Sequence, residues 1–378
     1  MTRVHLCRCP DYDPRRVDAA VEQSLRALPG FEALFKPGQR VLLKPNLLQA
    51  KPSEAAVTTH PSIVAAVARM VRAAGATPVI ADSPGGAFNP ATLRRLYHAT
   101  GMAAAAEESG ALLSFDCGTV RVAIPGGRAT QTLDAMRVAV EADAIINLPK
   151  LKTHGLTHLS GAIKNLFGTV PGITKARYHA LFPTVDRFSA MLIDILAYYK
   201  PVLTVMDAIV GMEGDGPSAG NPRQIGVLLA GPDAVAVDVI ATALIGIVPA
   251  SVPTIAAAVR RKLSTGRVED IELSGASVEA VRVAGFRPHR SGMQHVRMLP
   301  IAIPRWITDR LLADPQAGGC CTACGVCVVN CPVQAITITA GRACTDARRC
   351  IHCFCCHELC PEDAVELHRP ILARLLDR

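Results

Sequence analysis

Apolar residues over the first 280 positions fall in two alternating rhythms. Short continuous apolar runs at 40–48, 77–83, 144–149, 202–210 and 224–230 read as buried strands. Between them, apolar residues recur three and four apart, as in Ile63, Val64, Val67, Met70 and Val71, and predict helices at 61–74, 158–170, 186–200, 233–246 and 254–263. This alternation predicts an α/β fold with a mostly parallel sheet over residues 1–280. Segment 110–135 reads as extra β structure, an insertion or a small subdomain. Residues 281–317 carry Pro288, Pro300, Pro304 and Pro315 and read as a connector, with a short amphipathic helix at 304–312. Residues 318–378 form a third unit, whose strand-like segments at 335–338 and 364–367 make it a small α+β domain. The most apolar stretch, 225–248, is broken by Gly231-Pro232-Asp233 and Asp238, so it reads as strand, turn and helix and no membrane span is expected.

Cysteine spacing changes this picture most. Cys321-x2-Cys324-x2-Cys327-x3-Cys331-Pro332 is followed by Cys350-x2-Cys353-x2-Cys356-x3-Cys360-Pro361. Two-residue gaps let a tight loop turn three sulfurs inward, and the fourth must come from elsewhere. Crossing the two runs supplies it, as in the bacterial ferredoxin pattern for two [4Fe–4S] clusters. One cluster is then assigned to Cys321, Cys324, Cys327 and Cys360, the other to Cys350, Cys353, Cys356 and Cys331. The prolines after the fourth cysteines end each run, and Gly325 lets backbone approach a sulfur. Zinc does not call for a third cysteine at the next step followed by x3-Cys-Pro. Cys320 and Cys355 adjoin ligands and either could replace its neighbour; Cys344 reads as a spare, and Cys7, Cys9 and Cys117 as core or incidental residues.

Composition narrows the partners. The chain has 378 residues and 14 cysteines, and its start lacks the apolar core of a signal peptide, so a cytoplasmic, reducing setting is expected. Net charge is +8, and charges balance from residue 315 onward, so the basic excess belongs to the large domain. Aromatics make up only 4% and no basic run occurs, which disfavours nucleic acid and favours an anionic small substrate or an acidic electron donor.

In an open α/β sheet, ligands bind beyond the carboxyl ends of the strands. Four predicted strands end there in polar residues: Lys44-Pro45-Asn46; Asp82-Ser83-Pro84-Gly85-Gly86; Pro149-Lys150-Leu151-Lys152-Thr153-His154; and Asp207, followed by Gly211-Met212-Glu213-Gly214. Lys150 and Lys152, two apart, are expected on one face of an extended chain. A helix start near Thr157 is expected to offer free N–H groups to an anion, with Lys164 and Asn165 two turns on. Lys44, Asn46, Asp82, Ser83, Lys150, Lys152, Asn165 and Glu213 are thus candidate substrate contacts, and His154, Asp207 and Lys164 candidate catalytic groups. Taken alone, each lysine reads first as solvated surface and His154 as structural, and Asp207 reads equally as a turn cap; the convergence carries the inference.

Leu43-Lys44-Pro45-Asn46, Val57-Thr58-Thr59-His60-Pro61, Asn147 to His154, Gly161-Ala162-Ile163-Lys164-Asn165-Leu166-Phe167-Gly168 and Met206-Asp207-Ala208 resemble the family called domain of unknown function 362. The resemblance covers residues 38–246, and that family is often fused to a bacterial ferredoxin module. It implies an iron–sulfur protein, and a fold distantly similar to the N-terminal domain of lactate-racemase-like proteins.

Together these readings predict an iron–sulfur oxidoreductase exchanging electrons with an anionic small substrate. No nicotinamide or flavin fingerprint is present, so a ferredoxin or flavoprotein is the expected electron donor, and the reading leaves room for a homodimer. Two competing readings are an electron-transfer subunit that docks a partner enzyme, and a non-redox isomerase or lyase with structural clusters.

Overall fold

The computed structural model describes residues 2–289 and 312–370. Its centre is a sheet ordered Ile271–Gly275, Thr2–Arg8, Asn221–Gly231, Leu203–Glu213, Ala144–Leu148, Arg40–Pro45, Thr77–Ile80 and Leu112–Leu113. Every neighbouring pair from Leu203–Glu213 to Leu112–Leu113 is parallel. Asn221–Gly231 alone along this path runs antiparallel to its neighbours. The fold is therefore α/β with a large, mostly parallel sheet.

Both sheet faces are buried, and period-two alternation sorts the side chains between two cores. Met206, Ala208, Val227 and Leu229 face one core with Ile163, Phe188 and Ile240. Val205, Ile209, Leu228 and Ala230 face the other with Val21, Ile63 and Val67. Helix Pro61–Ala73 starts with proline in its first turn and is capped by His60, whose ring accepts from Ser62 N. Each fully buried aliphatic side chain contributes about 1.5–3 kcal/mol of transfer free energy, which is why all-apolar central strands are tolerated.

Several expectations are corrected. The helix expected at 158–170 is a two-residue strand, His158–Leu159, then a short helix Gly161–Asn165 and a 3-10 turn Leu166–Thr169. His158 and Gly161 both sit at positive φ, which interrupts a continuous helix. The strands expected at 202–210 and 224–230 extend into a long hairpin, so Gly211, Met212 and Glu213 belong to a strand. Segment 110–135 is split: Leu112–Leu113 joins the main sheet, while Thr119–Ala123 and Thr132–Met136 form a separate hairpin. The helix expected at 304–312 falls almost wholly outside the described residues.

Among its described residues, the cysteine-rich module has its own small core, two strand pairs and two short helices, Val326–Val329 and Cys355–Leu359. Its two halves repeat in backbone as in sequence. Ala323 and His352, Gly325 and Phe354, and Gln334 and Asp363 occupy equivalent places, and all six have positive φ. The module sits on the carboxyl ends of the parallel strands. Gln49 Nε2 donates to Glu358 O at 2.8 Å, Lys51 pairs with Asp363 at 2.6 Å, and Phe354 is buried in the core of the large domain.

Candidate functional site

The module and the sheet edge border a pocket of about 60 Å³. Asn46, Asp82, Ser83, Lys152, Lys164 and Asn165, all singled out from sequence, line it. From the module come Asn330, Cys355, Glu358 and Leu359.

Its floor is a set of locked polar contacts. Lys44 is buried and pairs with Asp82 at 2.7 Å; burial lowers the Lys44 pKa, and Asp82 opposes this. Asp82 also accepts from the backbone of Leu47 and Ser83. A Cβ on Gly168 would lie 2.3 Å from Asp82 Oδ1 and 2.5 Å from Lys44 Nζ, so only glycine lets this turn cover the pair. The ion pair holds the pocket floor; its lysine is not available to a ligand.

The helix after Leu159 supplies no open anion site. Asp238 accepts from the N–H groups of Ala162 at 2.6 Å and Ile163 at 3.0 Å, so the protein's own carboxylate fills that end. A Cβ on Gly161 would come within 2.4 Å of Asp238, which explains the glycine. Burial pushes the Asp238 carboxyl up to about 7.

Lys150 and Lys152 share strand Lys150–His154 but not one ligand site. Lys150 Nζ bonds Asp207 and the Tyr12 hydroxyl, each at 2.8 Å. Tyr12 stacks on His60 at 3.7 Å and donates to Asp207, whose other oxygen accepts from His60 N. Asp207 therefore closes a buried knot on the sheet face opposite Met206, away from the pocket. The partner strand shifts register between Asp207, opposite Lys150, and Met212, opposite Lys152, which separates the two lysines' surroundings. Lys152 Nζ instead donates to Val57 O at 2.7 Å and Pro217 O at 3.1 Å. Burial lowers its pKa to about 7. Glu213 lies elsewhere, paired with Arg287 at 2.8 Å.

The remaining charges meet at the module. Glu358 lies 3.5 Å from His154 Nε2 and 4.0 Å from Lys164 Nζ. Burial opposes its charge, but Lys164 and His154 outweigh burial and hold the carboxyl well below its ordinary range. His154 Nδ1 accepts from Leu156 N at 3.0 Å, so the neutral ring carries its proton on Nε2, toward Glu358. Burial lowers the His154 pKa to about 4 and that of His179 to about 3, so both are neutral near pH 7. Lys175 Nζ is caged by the carbonyls of Ser83, Pro84 and Val170 and by Ser83 Oγ, and burial lowers its pKa to about 7. Glu358, Lys175, His179, Asn330 and Tyr12 were not read as site residues from sequence. Glu358 had one available signal, an acid between two cysteines of a ligand run, but that run reads first as a metal motif.

The cysteines fall into two groups. Cys321, Cys324, Cys327 and Cys360 border one cavity. Cys331, Cys350, Cys353 and Cys356 border another, with Cys355 beside them. Backbone N–H groups of Ala335, His352 and Ala364 donate to the sulfurs of Cys331, Cys350 and Cys360 at 3.2, 3.4 and 3.2 Å. Among the described residues, no three His, Cys, Asp or Glu side chains converge tightly enough to grip a single ion. Four thiols around each small cavity, with N–H donors on the sulfurs, are a donor set suited to a cubane cluster. Cys355 lines both the second cavity and the pocket. Its thiol pKa is raised well above the ordinary value by its hydrogen bond with Cys353 and by burial.

No helix among the described residues is long and apolar enough to cross a membrane. A described relative is the thylakoid-associated protein sll1697 of Synechocystis sp., 36% identical over 274 residues, covering 70% of this chain and 81% of the relative. A solved structure of lactate racemase apoprotein from Thermoanaerobacterium thermosaccharolyticum matches with a TM-score of 0.39 and 12% identity, over 62% of this chain and 55% of that one. The family described as domain of unknown function, DUF362, matches residues 41–243, and these stretches include the strand ends, the Gly161–Gly168 turn and both lysines of strand Lys150–His154. The chain belongs to this family.

Proposed function

We propose that this chain is an iron–sulfur oxidoreductase that exchanges electrons with a small anionic substrate held between the sheet edge and the cysteine module. The observation that carries the reading is Cys355, which borders both the pocket and the second four-cysteine cavity. Two [4Fe–4S] clusters, held by Cys321, Cys324, Cys327 and Cys360 and by Cys350, Cys353, Cys356 and Cys331, would supply single-electron storage and relay. Lys152 and Lys164 attract and orient the anion. His154 holds Glu358 in place and keeps its Nε2 proton toward the pocket wall. Helix Cys355–Leu359 covers one side of the pocket. In this reading the donor is a ferredoxin or flavoprotein, and the chain works in a reducing, cytoplasmic setting that keeps its thiols available to iron.

A second reading, an electron-transfer subunit, draws on the open groove beside Cys324, Gly325 and Val326, where Val329 is 76% exposed. The test is reoxidation. Iron-loaded protein is reduced anaerobically and offered a panel of anionic metabolites. Rapid return of the oxidised absorbance with one class of acid supports the oxidoreductase. An unchanged reduced spectrum across the panel, with stable capture of a partner enzyme, supports the subunit.

A further inference from the structure

The inner pocket holds hydrogen-bonding capacity whose sign can be worked out. Asn147 Nδ2 donates to Ala162 O at 2.9 Å, and a carbonyl only accepts, so the Asn147 amide is fixed with Oδ1 as its acceptor. Asn165 Nδ2 donates to that oxygen at 2.8 Å and to Lys44 O at 3.0 Å. Asn165 Oδ1 therefore accepts, and Asn46 Nδ2 donates to it at 3.1 Å. This relay of three amides leaves Asn46 facing outward with Oδ1. That oxygen is buried and has no partner among the described residues.

Asn330, only 6% exposed and carried by the cysteine module, repeats the situation. Its Nδ2 donates to Val326 O at 2.9 Å, and its Oδ1 is buried without a partner among the described residues. Both asparagines line the pocket. Buried acceptors left without donors are costly, and two of them bordering one cavity call for donors on whatever fills it.

The cations complete the pattern. Lys152 has three N–H bonds and uses two on Val57 O and Pro217 O, leaving one. Lys164 Nζ is 4.0 Å from Glu358, beyond hydrogen-bond reach, and so keeps donors for a ligand. Lys175, by contrast, is saturated by its cage.

We propose that the pocket binds a small carboxylic acid that also carries a hydroxyl group. The carboxylate meets Lys152 and Lys164, and the hydroxyl donates to Asn46 Oδ1. An ammonium group could also donate, and Glu358 attracts it, but Lys152 and Lys164 both repel it and outnumber that carboxylate, so the hydroxyl fits better. Asn330 Oδ1 offers a place for a second hydroxyl or an ordered water. This inference rests on the anionic-site reading above and narrows it to hydroxy acids.

Isothermal titration of the full iron-loaded chain with matched acids tests it: both enantiomers of malate against succinate, and glycerate against propionate. The expected result is that the hydroxylated member of each pair binds about tenfold tighter or more, because a site built to pair a hydroxyl discriminates strongly against its absence. Asn46→Ala is expected to bring malate down to the level of succinate, whereas Lys164→Ala weakens both acids together. Should Asn46→Ala fail to fold, the ratio in the unaltered protein decides alone. Equal binding within each pair overturns the hydroxyl requirement and leaves the anionic site standing. Failure of all four acids to bind overturns both.

Discussion

Glu358 of the cysteine module lies 3.5 Å from Nε2 of His154 on the sheet edge, in a pocket that Lys152, Lys164 and Lys175 also line. The module thus contributes a charged side chain to the site and is more than a neighbour of it. Glu358 also faces Lys164, so it occupies part of the positive field that an incoming anion would use. Glu358→Gln is expected to tighten succinate binding by about three- to tenfold, since one buried competing charge is removed. Weaker binding in this variant would mean that Glu358 organises the lysines and does not compete with the ligand. Titration calorimetry reads the difference directly.

Anion affinity should also depend on pH in a defined direction. Burial sets the Lys152 pKa at about 7, within a field that includes Lys150, Lys164, Asp82 and Glu358. Below pH 7 the ammonium is charged and attracts the ligand; as pH rises through 7 the amine becomes neutral and affinity falls. An anion favours the charged form, so binding above pH 7 takes up a proton. Titrations in buffers of different ionisation enthalpy measure that uptake, and a flat profile from pH 6 to 8.5 would remove Lys152 from the binding account.

The Lys44–Asp82 pair makes a stability prediction. Both side chains are buried, at 0% and 4% exposure, so removing one leaves an unpaired buried charge. Lys44→Met should lower unfolding free energy by about 3–5 kcal/mol. Gly168→Ala should cost about 1–3 kcal/mol by overpacking the same pair. Denaturant titration checks both, and near-neutral effects would show that the turn over Asp82 is looser than described.

The cysteine assignment separates cleanly by iron analysis. Cys356→Ser should reduce iron from about eight to about four atoms per chain, because one four-thiol set is broken. Cys355→Ser should leave iron content unchanged, since Cys353 and Cys356 remain. A loss of iron in Cys355→Ser with retention in Cys356→Ser would reassign the ligand.

Much of this was legible in the chain, for physical reasons that differ by element. The central strands could be read because a sheet buried on both faces demands unbroken apolar runs, as in Val41-Leu42-Leu43 and Ala144-Ile145-Ile146. The shared edge of those strands' polar ends could be read because parallel strands have their carboxyl ends on one side. Helix Pro14–Arg26 was not read; its mean polarity is high, and its buried face is only Val17, Ala20, Val21, Ser24 and Leu25. The knot of Lys150, Asp207 and Tyr12 was illegible because it depends on which sheet face each side chain takes, and on a bulge between Ala208 and Val210. The helix near Thr157 misled because apolar spacing cannot show that His158 and Gly161 adopt positive φ, nor that a carboxylate distant in sequence, Asp238, closes the turn. Glu358 was hidden for the opposite reason: its neighbours announce a metal motif so strongly that the acid among them draws no notice.

The central claim is that the second cysteine set and the lysine-lined pocket form one working site. Electron paramagnetic resonance of the iron-loaded, reduced protein, recorded with and without saturating hydroxy acid, tests it most directly. The account predicts that the acid alters the spectrum assigned to the Cys331, Cys350, Cys353 and Cys356 set, leaves the other set unchanged, and loses this effect in Lys164→Ala. A spectrum indifferent to bound acid, with binding confirmed by calorimetry on the same sample, would contradict it.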